Sequence, residues 1–136
     1  MKTNKILIGG VAAGVVLFLV SWLVWGILLK DYMTSNYNQC FMNKDMIWWA
    51  LILSNIAFGM VFSTAISMSN TSGIAAGAKI AAILGCLITI AIDFQFYSMS
   101  SMFKDISVPL LDIVLSTIVF GVGGAAAAWG MGMVKE

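Results

Sequence analysis

Four long runs of apolar residues, at positions 6–29, 46–68, 74–98 and 108–134, constrain this chain more than any other feature. Each exceeds the ~20 residues that an α-helix needs to cross a ~30 Å hydrocarbon core. The runs are continuous rather than alternating, which argues for helices and against the shorter segments of a membrane barrel. The expected fold is therefore all-α, an integral membrane four-helix bundle forming one domain over residues 1–136. Composition agrees: 61% of the residues are hydrophobic and 10% charged, and the mean hydropathy is +1.00. A soluble domain of this size has no interior large enough to hide that much apolar surface. The first run follows Lys2 and Lys5 as a signal peptide would, but it is too long and no small-x-small cleavage site follows, so it reads as a span.

The lysines set the direction. Lys2, Lys5, Lys79 and Lys135 fall on one side, opposed by Glu136 alone. Lys30, Lys44 and Lys104 fall on the other, and each is followed at once by an aspartate (Asp31, Asp45, Asp105). The positive-inside rule then places both termini in the cytoplasm, an N-in/C-in topology expected of a multi-pass protein of the bacterial inner membrane. Aromatic residues crowd the outer boundary: Trp22, Trp25, Tyr32, Tyr37, Phe41, Trp48, Trp49, Phe94, Phe96, Tyr97 and Phe103, against Trp129 at the inner one. Such a belt anchors helices at the headgroups, and Trp22, Trp25, Trp48, Trp49 and Tyr97 are equally candidates for docking a partner or lipid. The segment 30–45 (KDYMTSNYNQCFMNKD) is the one sizeable soluble feature, whereas 69–73 (SNTSG) is a turn.

Lipid tails are as apolar as leucine, so membrane helices associate by close backbone approach and buried polar contacts. The i, i+4 rows supply both. One row of the third run holds Gly73, Gly77, Ala81, Gly85, Thr89 and Asp93, and one row of the fourth holds Asp112, Ser116, Phe120, Gly124, Ala128 and Gly132. The second offers Asn55, Gly59, Ser63 and Ser67, and the first Gly10 and Gly14. These rows predict a helix-packing seam, tightest between the third and fourth spans at their cytoplasmic ends. Ser21, Asn55, Thr89 and Ser116 fall at one depth, roughly 13 Å from the outer helix ends at 1.5 Å per residue. That layer suits interhelical hydrogen bonds, or else a hydrated pocket.

Asp93 and Asp112 are the charges inside the spans, and an ionisable group left in a membrane points to function. Asp112 follows Pro109 near a helix start, where the helix dipole favours an acid and Ser107 is a plausible cap. Asp93 lies toward a helix C-terminus, where the dipole opposes it, with Gln95 and Tyr97 as possible hydrogen-bond partners. Two carboxyl groups held together share a proton, and a lysine such as Lys30 or Lys104 snorkelling inward would instead neutralise one of them. The candidate buried polar site is thus Asp93, Asp112, Asn55, Gln95, Thr89 and Ser116.

Other chemistry is missing from the sequence. The seven cations are all lysine, with no arginine or histidine, which removes the usual means of binding nucleic acid, shuttling protons or ligating metals. Cys40 and Cys86 lie in unlike surroundings and form no CxxC motif, so neither a disulfide nor redox chemistry is expected. No nucleophile, base and orienting group can be assembled; no catalytic residue, cofactor or metal is expected.

The Trp22–Trp25–Gly26 end of the first span with LLKDYM after it, the GAKIAAILG opening of the third, and the Asp112 span ending in glycine and alanine together resemble small four-span bacterial inner-membrane proteins of the domain-of-unknown-function type. The resemblance covers most of the chain and implies a fold without an activity. Better-known four-span families match less well: the first span lacks the acid of small multidrug transporters, and the chain lacks the arginine signature of fluoride channels and the CxxC of quinone-linked disulfide enzymes. The sequence leaves three roles: a non-enzymatic accessory or structural subunit associating with a larger membrane complex or with itself, a small oligomeric transporter or channel using Asp93 and Asp112, or a binder of lipid or another hydrophobic ligand. The expected partners are membrane lipid and another membrane protein or a further copy of this chain, and no nucleic acid.

Overall fold

The computed structural model describes residues 2–134. Lys135 and Glu136, counted in the charge balance above, lie outside the described residues. Helix α1 (Lys2–Ser21) runs on without interruption as a π-helix over Trp22–Leu28. The two-turn α2 (Lys30–Asn36) and a 3₁₀ turn (Gln39–Phe41) precede α3 (Trp48–Met68), α4 (Ile74–Met99) and α5 (Ser107–Gly132). Among the described residues, four helices are long and apolar enough to cross a membrane: α1 with its π-helical extension, α3, α4 and α5.

Local chemistry explains where these helices begin and end. Pro109 lies in the first turn of α5, where a missing N–H removes no intrahelical bond. Between α3 and α4 the chain reverses through Asn70 at φ 52° and Gly73 at φ 102°. Both positions are left-handed, a region that asparagine tolerates and glycine adopts freely.

The helices alternate in direction. At the end carrying the termini, the Ser63 hydroxyl donates to the Ile6 carbonyl (2.8 Å), and a Cβ on Gly77 would lie 2.6 Å from the Ala128 methyl. At the opposite end Phe18 meets Trp48, with ring centroids 6.4 Å apart. The most extensive contact joins α4 to α5, followed by α1 with α3 and α1 with α5.

Side-chain size is sorted from inside to outside. Leu7, Val11, Val15 and Leu19 form an exposed i, i+4 stripe on α1, while Gly9, Gly10, Ala13, Gly14 and Leu17 are buried. Helix α5 repeats the arrangement, with Leu110, Val114, Ile118 and Val122 outside and Gly123, Gly124, Ala127 and Gly130 inside. In water the large aliphatic groups would be the ones to hide; a surface of this kind suits lipid.

The inward glycines bring backbones into contact. A Cβ on Gly59 would collide with the Gly10 carbonyl and come within 2.7 Å of the Gly14 nitrogen. One on Gly124 would meet the Gly77 carbonyl and the Ala81 methyl, and one on Gly85 would enter the Phe120 ring. The rows predicted from sequence thus lie against one another, with two exceptions: Gly73 and Gly132 have nothing within 4 Å and stand outside the seam, because α4 begins just after the one and α5 ends at the other. A further seam between α1 and α5 comes from Gly9, Gly123 and Gly130, with a Cβ on Gly130 lying 2.9 Å from the Ala12 methyl.

Candidate functional site

The close approach of α4 and α5 at their glycine-rich end continues along both helices and brings their acids together at the other. The α4 row Gly77, Ala81, Gly85, Thr89 and Asp93 is buried throughout. Asp93 is 7% exposed, and its carboxyl is in hydrogen-bonding reach of the Asp112 carboxyl. Asp112 lies in the second turn of α5 and is half-buried.

Asp112 is well supplied with donors. The indole Nε1 of Trp25 donates to its Oδ1 at 2.9 Å, linking positions 87 residues apart. The hydroxyl of the buried Ser116, one turn further along α5, reaches the same carboxyl. Trp25 owes its aim to the π-helix, where the Leu29 N–H bonds the Val24 carbonyl five residues back (2.8 Å). This wider turn changes the angular offset between side chains, so Trp22 faces outward at 44% exposure while Trp25 turns to α5. Single π-turns of this kind recur at functional sites.

Two loops close over the pair. Tyr37, just after α2, forms an antiparallel bridge with Phe103. The Asn38 N–H bonds the Met102 carbonyl (2.8 Å), and the Lys104 N–H bonds the Asn36 carbonyl (3.1 Å). The Tyr37 and Phe103 rings meet edge to face at 5.3 Å and are buried with Val108. Beneath this cap is a cavity of about 10 Å³, with Trp25, Tyr32, Tyr37 and Asp112 among its walls. Burial pushes the Tyr37 phenol well above the ordinary tyrosine range, and the negative charges of Asp112 and then Asp93 add to the effect. Tyr37 is therefore a protonated hydroxyl in this setting. Asp105, at the entrance to α5, is held below the usual carboxylate range by its hydrogen bonds to Ser107, whose N–H it accepts at 3.2 Å.

Compared with protein-family models, curated proteins and solved structures, the chain shows no match. The site is therefore interpreted from its own geometry.

Several sequence expectations need correction. Asp112 is not a capping acid: it sits beyond the first turn, Ile106 at the N-cap of α5 makes no side-chain cap, Ser107 is the first helical residue, and its N–H donates to Asp105 just before the helix. Gln95 and Tyr97 do not support Asp93: both are exposed, Gln95, two residues on, faces away from it, and Tyr97, one turn beyond, packs edge to face on Phe94. Neither Lys30 nor Lys104 neutralises the pair: Lys30 is exposed at the start of α2, and Lys104 Nζ donates to the Ser35 carbonyl (2.8 Å). The polar layer does not bond between helices. Asn55 and Thr89 are buried, but they bond the carbonyls of Leu51 and Gly85 in their own helices (2.8 and 2.9 Å), and Ser116 alone of that layer reaches Asp112. Trp25 is part of the site rather than of a docking surface, whereas Trp22, Trp48 and Trp49 remain exposed. Cys40 and Cys86 are both free thiols, Cys40 exposed and Cys86 half-buried.

Sequence reasoning missed Trp25 and Tyr37 as site residues and Ser63 as an interhelical donor. Only the concentration of aromatics near the acids hinted at the first two, and that is also how an anchoring belt looks.

Proposed function

We propose that this chain is a four-helix bundle of the bacterial inner membrane with both termini in the cytoplasm, acting as a non-enzymatic accessory or structural subunit that associates with a larger membrane complex or with itself. The observation that carries this role is the sorting of side-chain size. Glycine and alanine line the helix contacts so closely that backbones touch, around a core that also holds Leu17, Phe62 and Val119, and many further large aliphatic and aromatic side chains cover the outside. A partner in the membrane would be met on those outer faces. Exposed Trp22, Trp48 and Trp49 share the capped end with a continuously exposed stretch over residues 41–49, which suits a contact at the headgroup level.

Purification from the native cell in a gentle detergent, followed by native mass spectrometry, tests the role. A stoichiometric foreign membrane protein, or a stable homo-oligomer, is the expected result. A monomer carrying only lipid would sink it and favour a lipid-binding role.

The alternative is a small oligomeric transporter or channel. One observation favours it: two intramembrane acids converge at a capped, partly polar site. Ion flux into vesicles, abolished by changing Asp93, would decide for it.

A further inference from the structure

Buried polar atoms in folded proteins nearly always have a hydrogen-bond partner, and the exceptions call for an explanation. Asp93 Oδ2 is such an exception: it is buried and receives no hydrogen bond. The group in reach of this carboxyl is another carboxyl, that of Asp112. Two carboxylates have four acceptor oxygens and no hydrogen between them, whereas a carboxylic acid beside a carboxylate makes a good hydrogen bond. A single proton resolves both the orphaned oxygen and the like-charge contact. The surroundings also fix where the remaining charge lies. Asp112 accepts from Trp25 Nε1 and is in reach of the Ser116 hydroxyl, so negative charge left on it has donors, whereas Asp93 Oδ2 has none.

A small cavity borders Asp112. The cavity of about 10 Å³ between Asp112, Trp25 and Tyr37 is about the volume that holds one water. Tyr37 forms part of the capping bridge with Phe103 and carries a protonated hydroxyl. Water in the cavity would join that hydroxyl to Asp112.

We propose that the Asp93–Asp112 pair is a proton-binding centre, holding one proton between the two carboxyl groups and exchanging it with the aqueous phase through the cavity beneath Tyr37. The centre operates equally in a subunit or in a transporter, so it does not depend on the role proposed above.

Infrared spectroscopy of the full-length protein in lipid vesicles at neutral pH tests it, because a protonated carboxyl has a carbonyl stretch separate from the carboxylate bands. The wild type is expected to show this band, and Asp93→Asn and Asp112→Asn are each expected to abolish or shift it. In D₂O the band of the wild type shifts as the proton exchanges, and Tyr37→Phe, which keeps the ring packed on Phe103, is expected to slow that exchange several-fold. Absence of the band in the wild type overturns the proposal without recourse to any variant. A band that either asparagine substitution leaves unchanged also overturns it. Unaltered exchange in Tyr37→Phe overturns the route through the cavity.

Discussion

Trp25 shows how one side chain ties distant segments of this fold together. Its indole N–H is the bond that fastens the π-helical end of α1 to α5. Trp25→Phe keeps most of the packing and removes that bond, at an expected cost of about 1 kcal/mol, since hydrogen bonds between membrane helices are worth no more than those in soluble cores. Thermal melting in a mild detergent, compared with wild type, measures it; an unchanged melting temperature would mean the bond contributes nothing. Asp93 provides a sharper contrast. An asparagine there supplies an N–H to Asp112 in place of the proton, so Asp93→Asn is expected to melt close to wild type. Asp93→Leu offers no hydrogen at all and is expected to lose about 1–3 kcal/mol, the cost of stranding a buried polar partner. Equal melting of the two variants would show that Asp112 does not depend on Asp93. Tyr37 adds a dependence on alkali. Its phenol is raised in the folded protein, so folding favours the neutral form. That stability is present below the ordinary tyrosine value of about 10 and is lost as pH rises beyond it. Phenolate absorbance, taken as the difference between wild type and Tyr37→Phe, should appear only together with alkaline unfolding. Absorbance that appears before the helices melt would show that Tyr37 is open to solvent.

The helices themselves were largely legible, because a run of twenty or more apolar residues has one stable answer in lipid and turn residues mark its ends. The rows of glycine and alanine were legible for the same kind of reason: at i, i+4 spacing they leave a groove that only another backbone fills. Two features were not. Gly123, Ala127 and Gly130 mark a second small-residue face of α5 at i, i+4, i+7, but nothing in that spacing says that Gly9 of α1 is what lies against it. The π-helix leaves no pattern of residue types either, and with it went the direction of Trp25. Asp93 and Asp112 stood out as charges in apolar runs, but which groups surround them follows from helix rotation, which spacing alone does not give. The seams make an element-level prediction. Gly59→Leu and Gly124→Leu place a side chain where another backbone already lies, and both should yield little folded protein by size-exclusion chromatography. Gly132→Leu, with open space around it, should behave as wild type. If all three eluted and melted alike, the close backbone contacts would not be what holds these helices together.

At the scale of the whole molecule, the arrangement of the helices and their direction in the membrane rest on different physics. Packing is decided by shape and is the same whichever way the protein is inserted. Direction is decided by where lysines sit relative to the spans, and here each lysine at the capped end is followed by an aspartate while those at the other end have few acids nearby. The two thiols make this testable with the native sequence. Cys40 is exposed in the segment after α2, and Cys86 is half-buried within α4 on a long apolar helix. With both termini in the cytoplasm, Cys40 faces the outer side. A membrane-impermeant maleimide added to spheroplasts should therefore label the chain once, at Cys40, and a Cys40→Ser variant should not be labelled. The same positioning would leave the Asp93–Asp112 pair close to the outer surface, reachable by protons from that side through the Tyr37 cap. Labelling of Cys40 only after the membrane is permeabilised would invert the topology, placing the exposed tryptophans and the acid pair at the cytoplasmic face and any docking partner on that side.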